Sequence, residues 1–275
     1  MEGRTGMNHT MTVRLLGVRG TLPVHGAEFA RFGGGTSSVL VRAGGATIVL
    51  DAGTGLSSRA WAAFFPEKAC SLLITHAHVD HLMGFPVFAP LFDPACACDV
   101  YLRTREGHTA REQIEALMAP PLWPIRTATL GDHVRFHDVA ETFSIGAVRV
   151  DTLESRHPGG STIYKLSLDG VSLVYATDYE PESDAPADFR AFAEGCSLLL
   201  LDAQYTPEEY ARTRGFGHST IPRSAVIARS CGAERTIFIH HDPGRTDAQL
   251  LALEEAVRRE DPRISFGRAG EEVIL

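Results

Sequence analysis

Lysine is almost missing from this 275-residue chain, occurring only at Lys68 and Lys165. Arginine supplies nearly all of the 26 basic residues, spread along the sequence without forming a basic arm, and the formal net charge is -8. Long nucleic acids are held by Lys and Arg that neutralise their phosphates, so this balance argues against such a partner and favours a small substrate. Long apolar runs are also lacking. None approaches the roughly 20 residues that cross a bilayer, and Met1-Glu2-Gly3-Arg4-Thr5-Gly6-Met7 has no apolar core of the signal-peptide kind. A cytoplasmic protein without membrane contact is therefore expected. The five cysteines, Cys70, Cys96, Cys98, Cys196 and Cys231, are odd in number and scattered, which suits reduced thiols better than a disulfide framework. The spacing of Cys96-Ala97-Cys98 differs from usual zinc pairs, and no suitably spaced Cys or His pair lies close by.

What is present is ample material for a core, with 44% hydrophobic residues. We expect a disordered lead-in over 1–11 and a single domain over 12–275. Strand signals fall at 12–18, 38–42, 47–50 and 72–75, with Gly44-Gly45 as a hairpin turn. A second series falls at 134–136, 148–153, 163–168, 171–176, 198–201 and 236–239, with Asp169-Gly170 as its turn. Helices are expected at 105–118, 187–194, 207–212, 222–230 and 247–259, with Thr206 and Thr220 as caps ahead of proline. Two runs of strands with interspersed helices imply two sheets facing each other, helices outside. The proline-rich stretch 85–126 reads as an insertion covering the site, its Phe88, Phe92 and Trp123 serving to pack it.

The densest chemistry is His76-Ala77-His78-Val79-Asp80-His81, three imidazoles and a carboxylate directly after the apolar run Leu72-Leu73-Ile74. On an extended segment residues two apart share a face, so His76 and His78 can close on one ion. A turn into a helix re-aims Asp80 and His81 at a second. Further candidate donors stand where other apolar runs end: His157 in Ser155-Arg156-His157-Pro158-Gly159-Gly160, Asp178 after Val174-Tyr175-Ala176-Thr177, and His240 after Ile237-Phe238-Ile239. Each alone is a weak signal, since an Asp after a strand is usually a turn former. In order after the first cluster they form a specific pattern. Of the adjacent pair His240-His241, only one can face a site from an extended strand, and His240 is the expected donor.

With Gly34-Gly35-Thr36-Ser37, Val49-Leu50-Asp51-Ala52-Gly53-Thr54-Gly55, Gly217-His218-Ser219-Thr220 and the His-His-Asp-Pro at 240–243, the chain resembles the metallo-β-lactamase fold superfamily. The likeness is to its branch of phosphodiesterases, which includes ribonuclease Z and the phosphoribosyl cyclic phosphate phosphodiesterases. One departure is Gly35, where related proteins often have Asn. The resemblance implies an α/β fold, a four-layer αββα sandwich, with ligands on loops at one edge of the two sheets. It implies that His76, His78 and His157 hold one divalent ion, that Asp80, His81 and His240 hold another, and that Asp178 bridges both. Imidazoles and carboxylates without thiolate suit zinc, with Mn²⁺, Fe or Ni²⁺ as substitutes. By the same resemblance His218 is a proton donor oriented by Asp202; with Asp80 these are the catalytic candidates. The free amides at the helix start after His218 would also favour a phosphate. Asp51 supports the metal-binding loop. Arg19 and His25 read as solvent-facing loop residues, with substrate contact the lesser alternative.

The function so implied is a dinuclear metal-dependent hydrolase, a phosphodiesterase acting on a small or cyclic phosphodiester through a metal-bridging hydroxide. Hydrolysis of a lactone, thioester or β-lactam is the second reading, and a non-catalytic metal-binding protein the third. Homodimer formation is left open.

Overall fold

Alternation sets the first strand: Met11, Val13 and Leu15 are buried, while Thr12, Arg14 and Leu16 between them are half-buried. The computed structural model describes residues 10–57, 68–184 and 186–275. The lead-in expected over 1–11 lies outside the described residues for its first nine positions, and Met11 already belongs to β1.

In chain order the strands are β1 (Met11–Gly17), β2 (Ser38–Ala43), β3 (Ala46–Leu50), β4 (Ala69–Leu73), β5 (Ala97–Leu102), β6 (Val134–Asp138) and β7 (Thr142–Ile145). They continue with β8 (Val148–Ser155), β9 (Ser161–Leu168), β10 (Val171–Ala176), β11 (Leu198–Asp202), β12 (Arg235–Ile239), β13 (Ile264–Phe266) and β14 (Glu272–Ile274). The α-helices described are α1 (Val79–Leu82), α2 (Ala110–Leu117), α3 (Ala187–Ala193), α4 (Pro207–Thr213), α5 (Ile221–Cys231) and α6 (Asp247–Glu260). The first sheet runs β14-β1-β2-β3-β4-β5-β6 and the second β13-β12-β11-β10-β9-β8-β7.

The sheets bury their inner faces against each other, Val41, Ile48 and Leu73 of one packing with Leu166, Tyr175, Leu200 and Ile237 of the other. Outside the first sheet, Leu72 and Val100 meet Phe85, Phe88 and Ile114 of α2. Outside the second, Leu199 and Phe238 meet Phe189 of α3, Ile227 of α5 and Leu250 of α6. The architecture is thus the expected αββα sandwich. β11 lies parallel between β10 and β12 and is buried along its whole length, which is why its sequence is an unbroken Leu198-Leu199-Leu200-Leu201. Both expected hairpin turns form, with positive φ at Gly44, Gly45, Asp169 and Gly170 as two-residue turns of this hand require. Thr206 and Thr220 cap α4 and α5.

The stretch 85–126 corrects the insertion reading. It contains β5, an interior strand of the first sheet paired in parallel with both β4 and β6. Its Phe85, Phe88 and Leu91 are fully buried against that sheet's outer face. The helix expected at 105–118 starts only at Ala110, because Thr109 forms a capping box with Glu112.

Leu200 is fully buried between the sheets. Leu200→Ala should lower the unfolding free energy by about 2–5 kcal/mol, read by denaturant titration of the metal-free protein. A loss below about 1 kcal/mol would mean that the intersheet core is loosely packed there.

Candidate metal centre

Every expected donor sits just beyond the end of a strand: His76 and His78 after β4, His157 after β8, Asp178 after β10 and His240 after β12, with Asp80 and His81 on the short α1. The strand ends converge on one edge of the sandwich, so seven residues distant in sequence come within reach of one another. Three neighbouring groups form: His76, His78 and His157; His76, His81 and Asp178; and Asp80, His81 and His240.

Asp178 stands between them. Its Oδ1 lies 3.8 Å from His76 Nε2 and 3.7 Å from His157 Nε2, while its Oδ2 lies 3.1 Å from His81 Nε2 and 3.3 Å from His240 Nε2. One carboxylate therefore faces two imidazole clusters with two different oxygens. Asp80 Oδ2 lies 3.4 Å from His81 Nε2 and 3.3 Å from His240 Nε2, and His78 Nδ1 lies 3.0 Å from His157 Nε2.

The outer nitrogen of each buried ring is held from behind. His76 Nδ1 meets the Thr75 hydroxyl at 3.0 Å, His81 Nδ1 the Asp51 carboxylate at 2.7 Å, His157 Nδ1 the Gly217 carbonyl at 3.1 Å and His240 Nδ1 the Gln204 Oε1 at 2.8 Å. Such partners orient the rings so that Nε2 points inward. Among the described residues, the buried Nε2 atoms of His76 and His81 make no hydrogen bond. Buried polar atoms are rarely left so, and inward-facing Nε2 atoms around shared carboxylates fit divalent cations. Asp51 takes the supporting position expected of it, fully buried and also bonded by Thr75 and the Tyr175 hydroxyl.

Charge is balanced within the cluster. Burial opposes ionisation of Asp178, yet His240 and His81 hold its carboxyl well below the usual range. Burial likewise opposes charge on His240, but Asp178, Asp80 and Asp202 raise it to about 9. His157 is lowered to about 4, chiefly by burial. The acidic groups thus favour the charged form of His240.

The backbone at these positions is unusual. Asp51, Asp178 and His240 all have positive φ, at 58°, 53° and 61°, a left-handed conformation uncommon outside glycine. Each turns the chain sharply at a strand end. For His240 this turn, rather than strand alternation, separates it from His241. The His241 ring packs between Phe32 and Phe266 and its Nε2 meets the Gly267 carbonyl at 3.0 Å. Gly217 carries a different constraint: its φ is 93°, and a Cβ there would fall onto the His157 ring.

His218 and Asp202 also come together. His218 Nδ1 lies 2.8 Å from Asp202 Oδ2, and Asp202 Oδ1 accepts the Ser219 amide at 2.9 Å. The His218 ring stacks on His240 at 4.7 Å between centroids, and its Nδ1 is 4.0 Å from Asp178 Oδ1.

Two residues depart from the sequence reading or were missed by it. Arg19 is fully buried, bonding the carbonyls of Gly33 and Arg245, so it clamps loops together and does not face solvent; His25 is exposed as expected. Gln204 was missed, although it stands two residues beyond Asp202, a spacing that shares a face on an extended segment. All five cysteines are buried and free, with Cys70 and Cys98 Sγ atoms 3.6 Å apart in the outer core of the first sheet.

Fold and cluster together define a hydrolase of the metallo-β-lactamase type. A family model described as the beta-lactamase superfamily domain matches residues 46–241, well over half of the chain, and the protein belongs to that superfamily. The ribonuclease Z of Bradyrhizobium sp. (strain ORS 278) is 24% identical over 262 residues, covering 78% of this chain and 86% of that protein. Among solved structures, the metallo-beta-lactamase fold protein YhfI from Bacillus subtilis superposes with a TM-score of 0.77 at 17% identity, covering 97% of this chain and 100% of the other. A diphosphatase from the PhnP family gives a TM-score of 0.66 at 18% identity, covering 97% of each chain. At these identities the structural matches speak for the fold alone. No helix among the described residues is long and apolar enough to cross a membrane.

Two outcomes test the centre. Purified protein should carry up to two divalent ions per chain, and His78→Ala should lower that content in elemental analysis; full occupancy in the variant would remove His78 from the donor set. The second concerns His241, whose pKa burial pushes down to about 3. An unfolded histidine titrates near about 6.5, so the unfolded chain takes up this proton first as pH falls. Stability from keeping His241 neutral is fully present above about pH 6.5 and drains away towards pH 3. His241→Phe should therefore flatten the acid limb of the stability profile of the metal-free protein between those values, and an unchanged slope would count against it.

Proposed function

We propose that this protein is a metal-dependent phosphodiesterase that hydrolyses a small or cyclic phosphodiester. The reading rests on the Asp202–His218 pair lying against a carboxylate that serves two imidazole clusters. His76, His78 and His157 would hold one ion, Asp80, His81 and His240 another, and Asp178 both, with zinc the best match to these donors and Mn²⁺, Fe or Ni²⁺ able to substitute. When bound, two such ions supply Lewis-acid stabilisation of an in-line displacement at phosphorus and make water acidic enough to attack near neutral pH. Both sheets contribute donors, so residues 12–275 act as one catalytic unit in this reading.

The chain's own groups handle the leaving oxygen. Asp202 engages His218 at Nδ1, which leaves Nε2 as the atom that exchanges a proton. As the P–O bond breaks, that proton passes to the departing alkoxide, giving an alcohol and a phosphate monoester with one water consumed. Asp202 is fully buried and fixes the tautomer. A lactone or thioester hydrolase does not require this extra donor.

The -8 charge and two lysines favour a small substrate, and the relative named ribonuclease Z makes RNA the second class to be tried. The metal-loaded protein should turn over a cyclic or short diester in a screen that also contains RNA, lactones, thioesters and β-lactams; turnover confined to the carbonyl compounds would overturn the assignment. His218→Ala should cost roughly 10²- to 10⁴-fold in kcat with metal content retained. The loss should shrink on a nitrophenyl diester, whose leaving group needs no proton. An equal loss on good and poor leaving groups would rule out proton donation.

A further inference from the structure

Exposed apolar residues stand next in the chain to residues of the cluster and its supports. Of the nine large hydrophobic residues that stand exposed among the described residues, three lie immediately beside site residues: Leu22, Val79 and Phe216, each more than half exposed. Val79 sits between His78 and Asp80. Leu22 follows Thr21, whose amide donates to Asp80 Oδ2 at 2.8 Å and whose hydroxyl meets Gln204 Nε2 at 3.5 Å. Phe216 precedes Gly217 and His218, and the Gly217 carbonyl meets His157 Nδ1 at 3.1 Å.

These three residues come from two separate loops and from the start of α1, each tied by a hydrogen bond or by chain adjacency to a different part of the centre. The loop carrying Phe216 is fixed further by Glu180, whose carboxylate accepts the amides of Gly215 at 2.8 Å and Gly217 at 2.9 Å. The exposed donor of the cluster is His78, next to Val79. Exposed apolar surface at an otherwise polar site has no role in holding cations or moving protons. It has one in gripping the part of a substrate that does not react.

We propose that Leu22, Val79 and Phe216 form a collar that takes the nucleobase of a nucleoside phosphodiester, with Phe216 as its stacking face. The proposal rests on the phosphodiesterase reading and narrows it, because a bare cyclic sugar phosphate offers the collar nothing flat and apolar to cover. An aromatic ring stacks on any base through its π face, which confers a preference for nucleosides over sugars without choosing among bases.

The test uses two diesters that share the reacting ring and differ only in the base: adenosine 2′,3′-cyclic phosphate and the 2′,3′-cyclic phosphate of methyl riboside. With metal-loaded protein, the adenosine compound should show the lower KM. Phe216→Ala should raise its KM about 5- to 100-fold with little change in kcat, the range expected for a lost stacking face. The change on the riboside diester should be several-fold smaller. Phe216→Tyr should restore the adenosine KM, which a merely structural defect in the loop would not allow. Calorimetry with adenosine 3′-phosphate and methyl riboside 3′-phosphate gives a readout independent of turnover, and only the former should bind more weakly to Phe216→Ala. Equal KM values for the two diesters in the unaltered protein, or equal losses on both in Phe216→Ala, would overturn the collar while leaving the phosphodiesterase reading intact. Absence of turnover on both, with base-dependent binding preserved, would instead overturn the phosphodiesterase reading and keep the collar.

Discussion

A carboxylate buried among imidazoles is the constraint on which the rest of this structure depends. Asp178 is almost fully removed from solvent, and an isolated charge in such a place is very costly. Four imidazole nitrogens within 3.8 Å of its two oxygens offset that cost, two approaching each oxygen. They come from the ends of β4, β8 and β12 and from α1, so Asp178 is accommodated at the edge of the sandwich where strand ends of both facing sheets converge. The sandwich is therefore more than a support. Its facing sheets bring to one point charges that neither sheet could bury alone.

Placing those side chains requires backbone that strands do not normally adopt. Asp51, Asp178 and His240 each end a strand in the left-handed region, at about 1–2 kcal/mol per residue relative to ordinary geometry. Asp and His tolerate this conformation better than β-branched residues do. The strands leading into them are buried hydrophobic runs, so packing fixes the direction of approach and the left-handed residue sets the final turn. Strain of this kind is commonly concentrated where side chains must be held for function.

The same turn explains which parts of the site were legible in the sequence. The cluster at 76–81 and the order of later donors show in the residues themselves, and the resemblance adds the pairing of His218 with Asp202. His240 faces the cluster and His241 does not, but strand alternation is not the reason, since a left-handed turn and the pocket formed by Phe32 and Phe266 separate the two rings. Interior strands rich in Leu, Ile and Val announced themselves. β5 did not, because prolines on both sides and the Cys96-Ala97-Cys98-Asp99 start hide a strand whose burial alternates. β7, β13 and β14, of three or four residues each, are too short to carry a period. Arg19 was misread because sequence cannot reveal that loop carbonyls far along the chain will surround a guanidinium.

Asp202 joins the shared carboxylate to His218. Its Oδ2 accepts the Asp178 amide at 3.2 Å and also meets His218 Nδ1, while its Oδ1 accepts the amides of Ser219 and Gln204. The backbone of the shared carboxylate and the ring of the proposed proton donor thus hang from one buried side chain. Gln204 extends the link, since its amide is held by Asp202 and its Oε1 meets His240 Nδ1. In the proposed reaction, a donor placed by its own independent loop would drift relative to the bond being broken, and errors of about 1 Å can cost 10²-fold in rate. Suspending both from Asp202 at the end of β11, the most deeply buried strand between its parallel neighbours, makes their separation a property of the core rather than of the surface loops.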